Sequence, residues 1–267
     1  MSTFAETHSA VPRAGLSPSD VGSAGFSPYL RDQVRPEGRT PNAPSAPLAR
    51  GPGFVGLNLG CGSRVVPGWI NCDRTFRTVS FRLGRLLRLP RYRRFVRLRC
   101  AGIDAKKPLP FRSESVHAIF EQHMLYAFEP EETQRLLAEC HRVLRPGGVV
   151  RLNEDDLHAV AERYVRGDLD LVDYVNREAH VAIENIATPA EAFTAVFKKW
   201  SSLRWLYDAQ SLAAHLHSAG FAAVELRGFH ESRLPDIEAL EKDNRDSVLG
   251  QIWIEAVKPE EWARRET

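Results

Sequence analysis

The stretch FVGLNLGCGSRVVPGWINCD, Phe54 to Asp73, sets Gly60 and Gly62 between two short apolar runs and ends the second run on an aspartate. Glycines at such a place let the backbone turn tightly and approach a ligand with no Cβ in the way. A carboxylate at position 73 can accept hydrogen bonds from both hydroxyls of a ribose. The pattern G-C-G-S-R-V lacks the third glycine of a dinucleotide loop, and Asp73 follows Gly62 by only 11 residues. That leaves little room for a full helix aimed at a pyrophosphate. A ligand with a ribose and no phosphate suits the spacing better. A structural turn between buried strands is the competing reading, and the glycine pair alone does not choose.

Other polar residues follow apolar runs in the same way: Asp104 closing FVRLRCAGID, Gln122 and His123 around the end of SVHAIFEQ, Asp155 closing VVRLNED with Asp156 next. An imidazole titrates near neutrality, so His123 is the first candidate for a general base, with Asp155, Asp156 and His158 behind it. Each has a plainer alternative. His123 can serve only to orient a loop, and NEDDLH can be a solvated helix start capped by Asp155 or Asp156. There is no cluster with metal-ligand spacing.

These residues need elements to hold them. FVGLNL, WINCD, FVRLRCAGID, SVHAIFEQ, VVRLNED, FAAVELRGF and QIWIEAVKP read as strands. PEETQRLLAECHRVLRPGG reads as a helix with Pro130 at its start, acids in its first turn and Pro146-Gly147-Gly148 beyond its end. DAQSLAAHLHSAG is a second helix closing on Gly220, and 156–200 is broadly helical. Strands alternating with helices imply an α/β fold, with a mainly parallel sheet and helices on both faces. In such sheets ligands bind beyond the carboxyl ends of the strands, where strand order reverses. The polar residues above fall at those ends.

Composition bounds the rest. The 267 residues suffice for one domain, expected over 51–267, behind a Pro-, Ser-, Ala- and Gly-rich tail over 1–50 that is expected to be disordered. The formal net charge of +2 conceals ten Arg and two Lys against the single acid Asp104 within residues 74–107. The four cysteines are widely spaced without a C-x-x-C pair, which suits a reducing compartment. With no apolar run of membrane-spanning length and no signal-like start, the expected location is the cytoplasm.

The blocks LNLGCGSRVVPGWINCD, DAKKPLPFRSESVHAIFEQHMLYAF, LLAECHRVLRPGGVVRL and RWLYDAQSLAAHLHSAGF resemble class I S-adenosylmethionine-dependent methyltransferases, over roughly residues 54–258. More narrowly they are similar to small bacterial ones that accompany saccharide and cell-envelope pathways. The resemblance implies a Rossmann-like, doubly wound, seven-stranded sheet with the last strand antiparallel, and S-adenosylmethionine as cofactor. It implies that Asn58, Gly60, Cys61 and Gly62 lie along the methionine and ribose part of that cofactor and that Asp73 holds the ribose. Asp104 would sit near the adenine amino group, with Ala105 beside the ring. Gln122 and His123 would close the methionine side, and Asp156 would stand at the mouth. Leu125-Tyr126-Ala127 replaces a usual Leu-Glu-His, Asp155 a usual proline and His117 a usual aspartate. No Asn-Pro-Pro-Tyr occurs, which speaks against the amino-group methylation that this motif serves in similar enzymes.

The expected reaction is therefore methyl transfer to a hydroxyl of a saccharide-like or other small metabolite. A protein of this fold that has lost turnover and serves as a scaffold, and an RNA methyltransferase guided by its arginines, are the alternatives. The insertion over about 74–99 interleaves arginine with Phe, Leu, Tyr and Val. It could receive an anionic acceptor, lie peripherally on an anionic membrane or, less in keeping with the acidic remainder, bind nucleic acid. The plain alternative is a helix packing its leucines on the domain.

Overall fold

The computed structural model describes residues 48–95, 98–177, 186–198, 203–242 and 249–260; the expected tail falls almost wholly outside them. Seven strands form one sheet: β1 (Gly56–Leu59), β2 (Ile70–Cys72), β3 (Cys100–Ala101), β4 (Val116–Gln122), β5 (Leu144–Asp155), β6 (Ala222–Leu226) and β7 (Gln251–Val257). Their spatial order is β3-β2-β1-β4-β5-β7-β6. Every neighbouring pair is parallel except those of β7, which runs antiparallel to β5 and β6. Strand order reverses between β1 and β4, so the expected ligand crevice lies beyond Leu59 and Gln122.

The first face of the sheet carries two long helices, α2 (Pro130–Val143) and α6 (Ala209–Ser218), after the short α1 (Val79–Leu86) of the arginine segment. Leu136, Leu137 and Cys140 of α2, with Leu212 and Leu216 of α6, pack on Leu57, Leu59, Ile119 and Leu152. α2 starts where its sequence says it should. Glu129 caps it reciprocally with Glu132, and Pro130 occupies its first turn. The second face is covered differently, by the loop after β1 and by residues 228–242 with the one-turn helix α7 (Ile237–Leu240). Val66, Trp69, Leu234 and Leu240 there meet Ala118, Phe120 and Val149. Gly56 is required at this contact, because a Cβ would stand 2.5 Å from the Trp69 ring.

Residues 228–242 are locked down by charge. Arg151 is fully buried, pairing with Glu241 (2.5 Å) and Glu255 (3.2 Å) and donating to the carbonyls of Gly228 and Glu231. A buried guanidinium is tolerable only when its donors are met in this way.

The expected strand over 95–104 shrinks to Cys100–Ala101. It is an edge strand whose flank does other work: Phe95 ends a 3₁₀ turn (Pro90–Phe95) and joins Phe76 and Phe81 in a small aromatic core, with centroids 4.6–5.8 Å apart. The described residues between 156 and 198 form α3 (Leu157–Val165), α4 (Leu169–Arg177) and α5 (Pro189–Lys198) around a core of their own, including Val160, Leu171 and Val196. Their chain leaves the sheet at Asp156 and returns at Tyr207, and those two residues form a parallel bridge.

Candidate functional site

β1 ends at Leu59, and Gly60 turns the chain with φ +63°. A Cβ at that position would stand 2.7 Å from the Met124 sulfur, so both the dihedral and the space call for glycine. Two buried asparagines hold the following loop from below. Asn58 Nδ2 donates to the Arg64 carbonyl (2.9 Å) and to Asn71 Oδ1 (3.0 Å), and Val66 N–H donates to the same Asn71 oxygen (2.8 Å). Gly62 N–H then donates to Asp73 Oδ2 (2.9 Å), while Thr75 N–H donates to Asp73 Oδ1 (2.7 Å). The aspartate thus ties the glycine loop to the end of β2. Each carboxylate oxygen retains acceptor capacity beyond these bonds.

A hollow of about 480 Å³ opens at these strand ends. Gly60, Asp73, Asp104, Ala105 and His123 all line it, together with Arg74, Lys106, Met124, Tyr126 and Arg204. The Asp104 side chain accepts Lys106 N–H (3.2 Å) in a tight turn, leaving Ile103 and Ala105 as apolar wall. A volume in this range takes a nucleoside-sized ligand.

The remaining expected residues are not among those that line it. Asn58 does not reach the hollow, because its amide is spent on the loop. Cys61 is buried in the small aromatic core, where burial and Asp73 push its thiol up. Gly62 faces Asp73 through its N–H but is not among the lining residues. Gln122 pairs with the Lys242 backbone through both amide atoms (3.0 and 3.3 Å), so it fastens residues 228–242 to the end of β4. Asp156 is the N-cap of α3, accepting His158 N–H (2.9 Å), with its carboxyl raised to about 6 by burial. His117 accepts Val55 N–H (3.1 Å) at the far end of β4, away from the hollow.

His123 stands just past β4 with φ 54°, its N–H donated to the Asn153 carbonyl (2.9 Å). Burial lowers its pKa; Asp155, whose Oδ1 lies 3.9 Å from Nδ1, works the other way, and Lys242 adds to the lowering. Asp155 in turn accepts from Gln251 Nε2 (2.8 Å).

Two residues that the sequence did not single out fix this turn. Glu121 and Glu154, both buried, take the N–H groups of Met124 and Leu125: Glu121 Oε1 accepts Met124 (2.6 Å), and Glu154 Oε1 accepts Leu125 (2.7 Å) and Met124 (3.1 Å). Among the described residues no group donates to Glu121 Oε2, and the neighbouring Glu154 carboxyl raises Glu121 further, an arrangement that suits one proton held between the two. Burial and the second carboxyl hold Glu121 well above the usual range, and burial pushes Glu154 up to about 7. Their signal in the sequence was a carboxylate inside each of two apolar strands, AIFEQ and VVRLNED. Arg204, a lining residue that the sequence did not single out, is placed by its N–H bond to the Tyr126 carbonyl (2.8 Å).

A family profile described as a methyltransferase domain matches residues 57–152. No curated protein sequence matches the chain. Among solved structures, the chain is similar to the CMeT domain of the citrinin polyketide synthase at 15% identity and a TM-score of 0.42, covering 78% of this chain and 46% of that one. It is similar to geranyl diphosphate methyltransferase bound to GPP and sinefungin at 16% identity and a TM-score of 0.42, covering 79% and 74%. It is also similar to an S-adenosylmethionine-dependent methyltransferase from Methanosarcina mazei at 16% and 0.42, covering 89% and 100%. The chain thus spans less than half the length of the first of these. The match to a methyltransferase domain over residues 57–152 thus falls on β1 to β5 of a mainly parallel sheet that β7 completes as its single antiparallel strand.

Proposed function

We propose that the chain methylates a hydroxyl of a small, saccharide-like acceptor bearing negative charge, with His123 as general base. The observation that carries this reading is the presence of Asp73 and His123 on the walls of one hollow, beyond the two strands that flank β1. Asp73 would accept the ribose hydroxyls of the cofactor with its remaining lone pairs, Asp104 and Ala105 would flank the adenine, and Gly60 would permit close approach. When bound, S-adenosylmethionine supplies a methyl group on a positively charged sulfur. The chain's own part is to position the acceptor, exclude water and take the acceptor's proton. His123 is suited to the last task because burial disfavours the protonated form of its ring. Asp155, at 3.9 Å, acts on the ring's orientation. Arg74 and Arg204 beside the hollow favour an anionic acceptor.

Isothermal titration with S-adenosylhomocysteine tests the cofactor half. The wild type should bind, and Asp73→Ala should bind at least about 100-fold more weakly, since hydrogen bonds to a charged acceptor contribute about 1.5–3 kcal/mol each. Absence of heat with the wild type, or unchanged affinity in the variant, overturns the assignment. A methyl-transfer panel of neutral and anionic sugars tests the acceptor half.

A further inference from the structure

We infer that the outward face of α1 docks the protein on an anionic lipid bilayer surface. The helix turns Phe81 and Gly84 inward, against the aromatic core and Tyr92. Val79, Leu83, Leu86 and Leu87, spaced i, i+4, i+7 and i+8, form the opposite stripe, and Leu89 extends it. These side chains are bare: Val79 is 78% exposed, Leu86 77%, Leu87 59% and Leu83 50%. Residues with a large apolar side chain rarely gather on a soluble surface without a partner.

The charge around the stripe says which partner. Arg74, Arg77, Arg82, Arg88, Arg91, Arg93 and Arg99 are all exposed, and residues 74–103 contain no acid. Among the described residues no carboxylate lies within ion-pair distance of Arg82, Arg88 or Arg91. A second copy seated on this stripe about a two-fold axis would set arginines against arginines. Lipid headgroups supply the complementary charge, and the guanidinium stems can lie along the apolar boundary with their heads in the headgroup layer. The docking is peripheral: among the described residues no helix is long and apolar enough to cross a membrane. Arg74 and Thr75, on the 3₁₀ turn leading into α1, also line the hollow. A docked α1 therefore holds one wall of the hollow close to the lipid surface, where an acceptor carried on a lipid would be presented.

Flotation of the full chain with vesicles tests this. It should bind vesicles of equal parts phosphatidylcholine and phosphatidylglycerol, and not phosphatidylcholine alone. Arg82→Gln/Arg88→Gln/Arg91→Gln should weaken binding by roughly 100-fold, and added salt should weaken the wild type steeply. Leu83→Glu/Leu86→Glu should abolish binding with an unchanged unfolding temperature, because both side chains are exposed. The inference is overturned if neutral vesicles bind equally, if the leucine variant still binds, or if sedimentation shows a dimer that this variant dissociates while vesicles leave the wild type unbound.

Discussion

Replacing Glu121 with glutamine should make the protein more stable at alkaline pH relative to the wild type, and the reason is a single shared proton. The introduced amide can keep the bond from Met124 N–H with its oxygen and donate to Glu154 with its nitrogen, so the turn that carries His123 stays in place. What is lost is a titration. A carboxyl whose folded pKa is raised binds its proton more tightly in the native state than in the unfolded chain. Stability is then greatest below the unfolded value and falls as pH rises towards the folded one. For Glu121 the interval begins at 4.5 and runs well above it, and each pH unit of it is worth about 1.36 kcal/mol. Glu154, pushed up to about 7 by its own burial, keeps its carboxyl in both proteins, so its titration largely cancels in the comparison. Urea denaturation of both proteins between about pH 5 and pH 8 reads the effect. The stability of Glu121→Gln minus that of the wild type should grow by up to about 1.4 kcal/mol per pH unit for as long as Glu121 keeps its proton in the folded state. A difference flat to within about 0.5 kcal/mol would refute the shared proton.

Other outcomes follow from the same geometry. His123→Gln should lower kcat by about 10²–10⁴ and remove the rising limb of the pH–rate profile. That limb should sit below the ordinary imidazole range in the wild type, because burial lowers the His123 pKa; a variant with the wild-type profile would exclude His123 as the base. Arg151→Met should cost about 3–5 kcal/mol, since it strands the buried carboxylates of Glu241 and Glu255. Thermal unfolding checks this, and Arg151→Met/Glu241→Gln/Glu255→Gln should recover most of the loss.

Local signals were legible wherever one segment settles its own structure. Pro130 with its two following acids marks the start of α2, Asp208 and Gly220 bracket α6, and the spacing from Gly62 to Asp73 excludes a long intervening helix. Residues whose meaning depends on a distant partner were not legible. Asn58 and Gln122 stand at strand ends like the lining residues, yet their partners at Arg64, Asn71 and Lys242 turn them into fasteners. Glu121 becomes intelligible only beside Glu154 on the neighbouring strand, and Arg151 only beside a glutamate 90 residues away. The strand expected over 95–104 shortened because an apolar run on a sheet edge can pack sideways, as Phe95 does, instead of extending the ladder.

The bridge between Asp156 and Tyr207 has a consequence for how this architecture can change. Leu157 N–H bonds the Tyr207 carbonyl (2.9 Å), so the excursion that holds α3, α4 and α5 departs and returns through adjoining points, like a cassette in a socket. Grafting in a longer or shorter excursion asks the sheet for no new register, and doubling a loop's length costs only about 0.6 kcal/mol in closure entropy. A lineage, or an engineer, can therefore exchange that cassette to alter what reaches the hollow while the strands beneath keep their pairing.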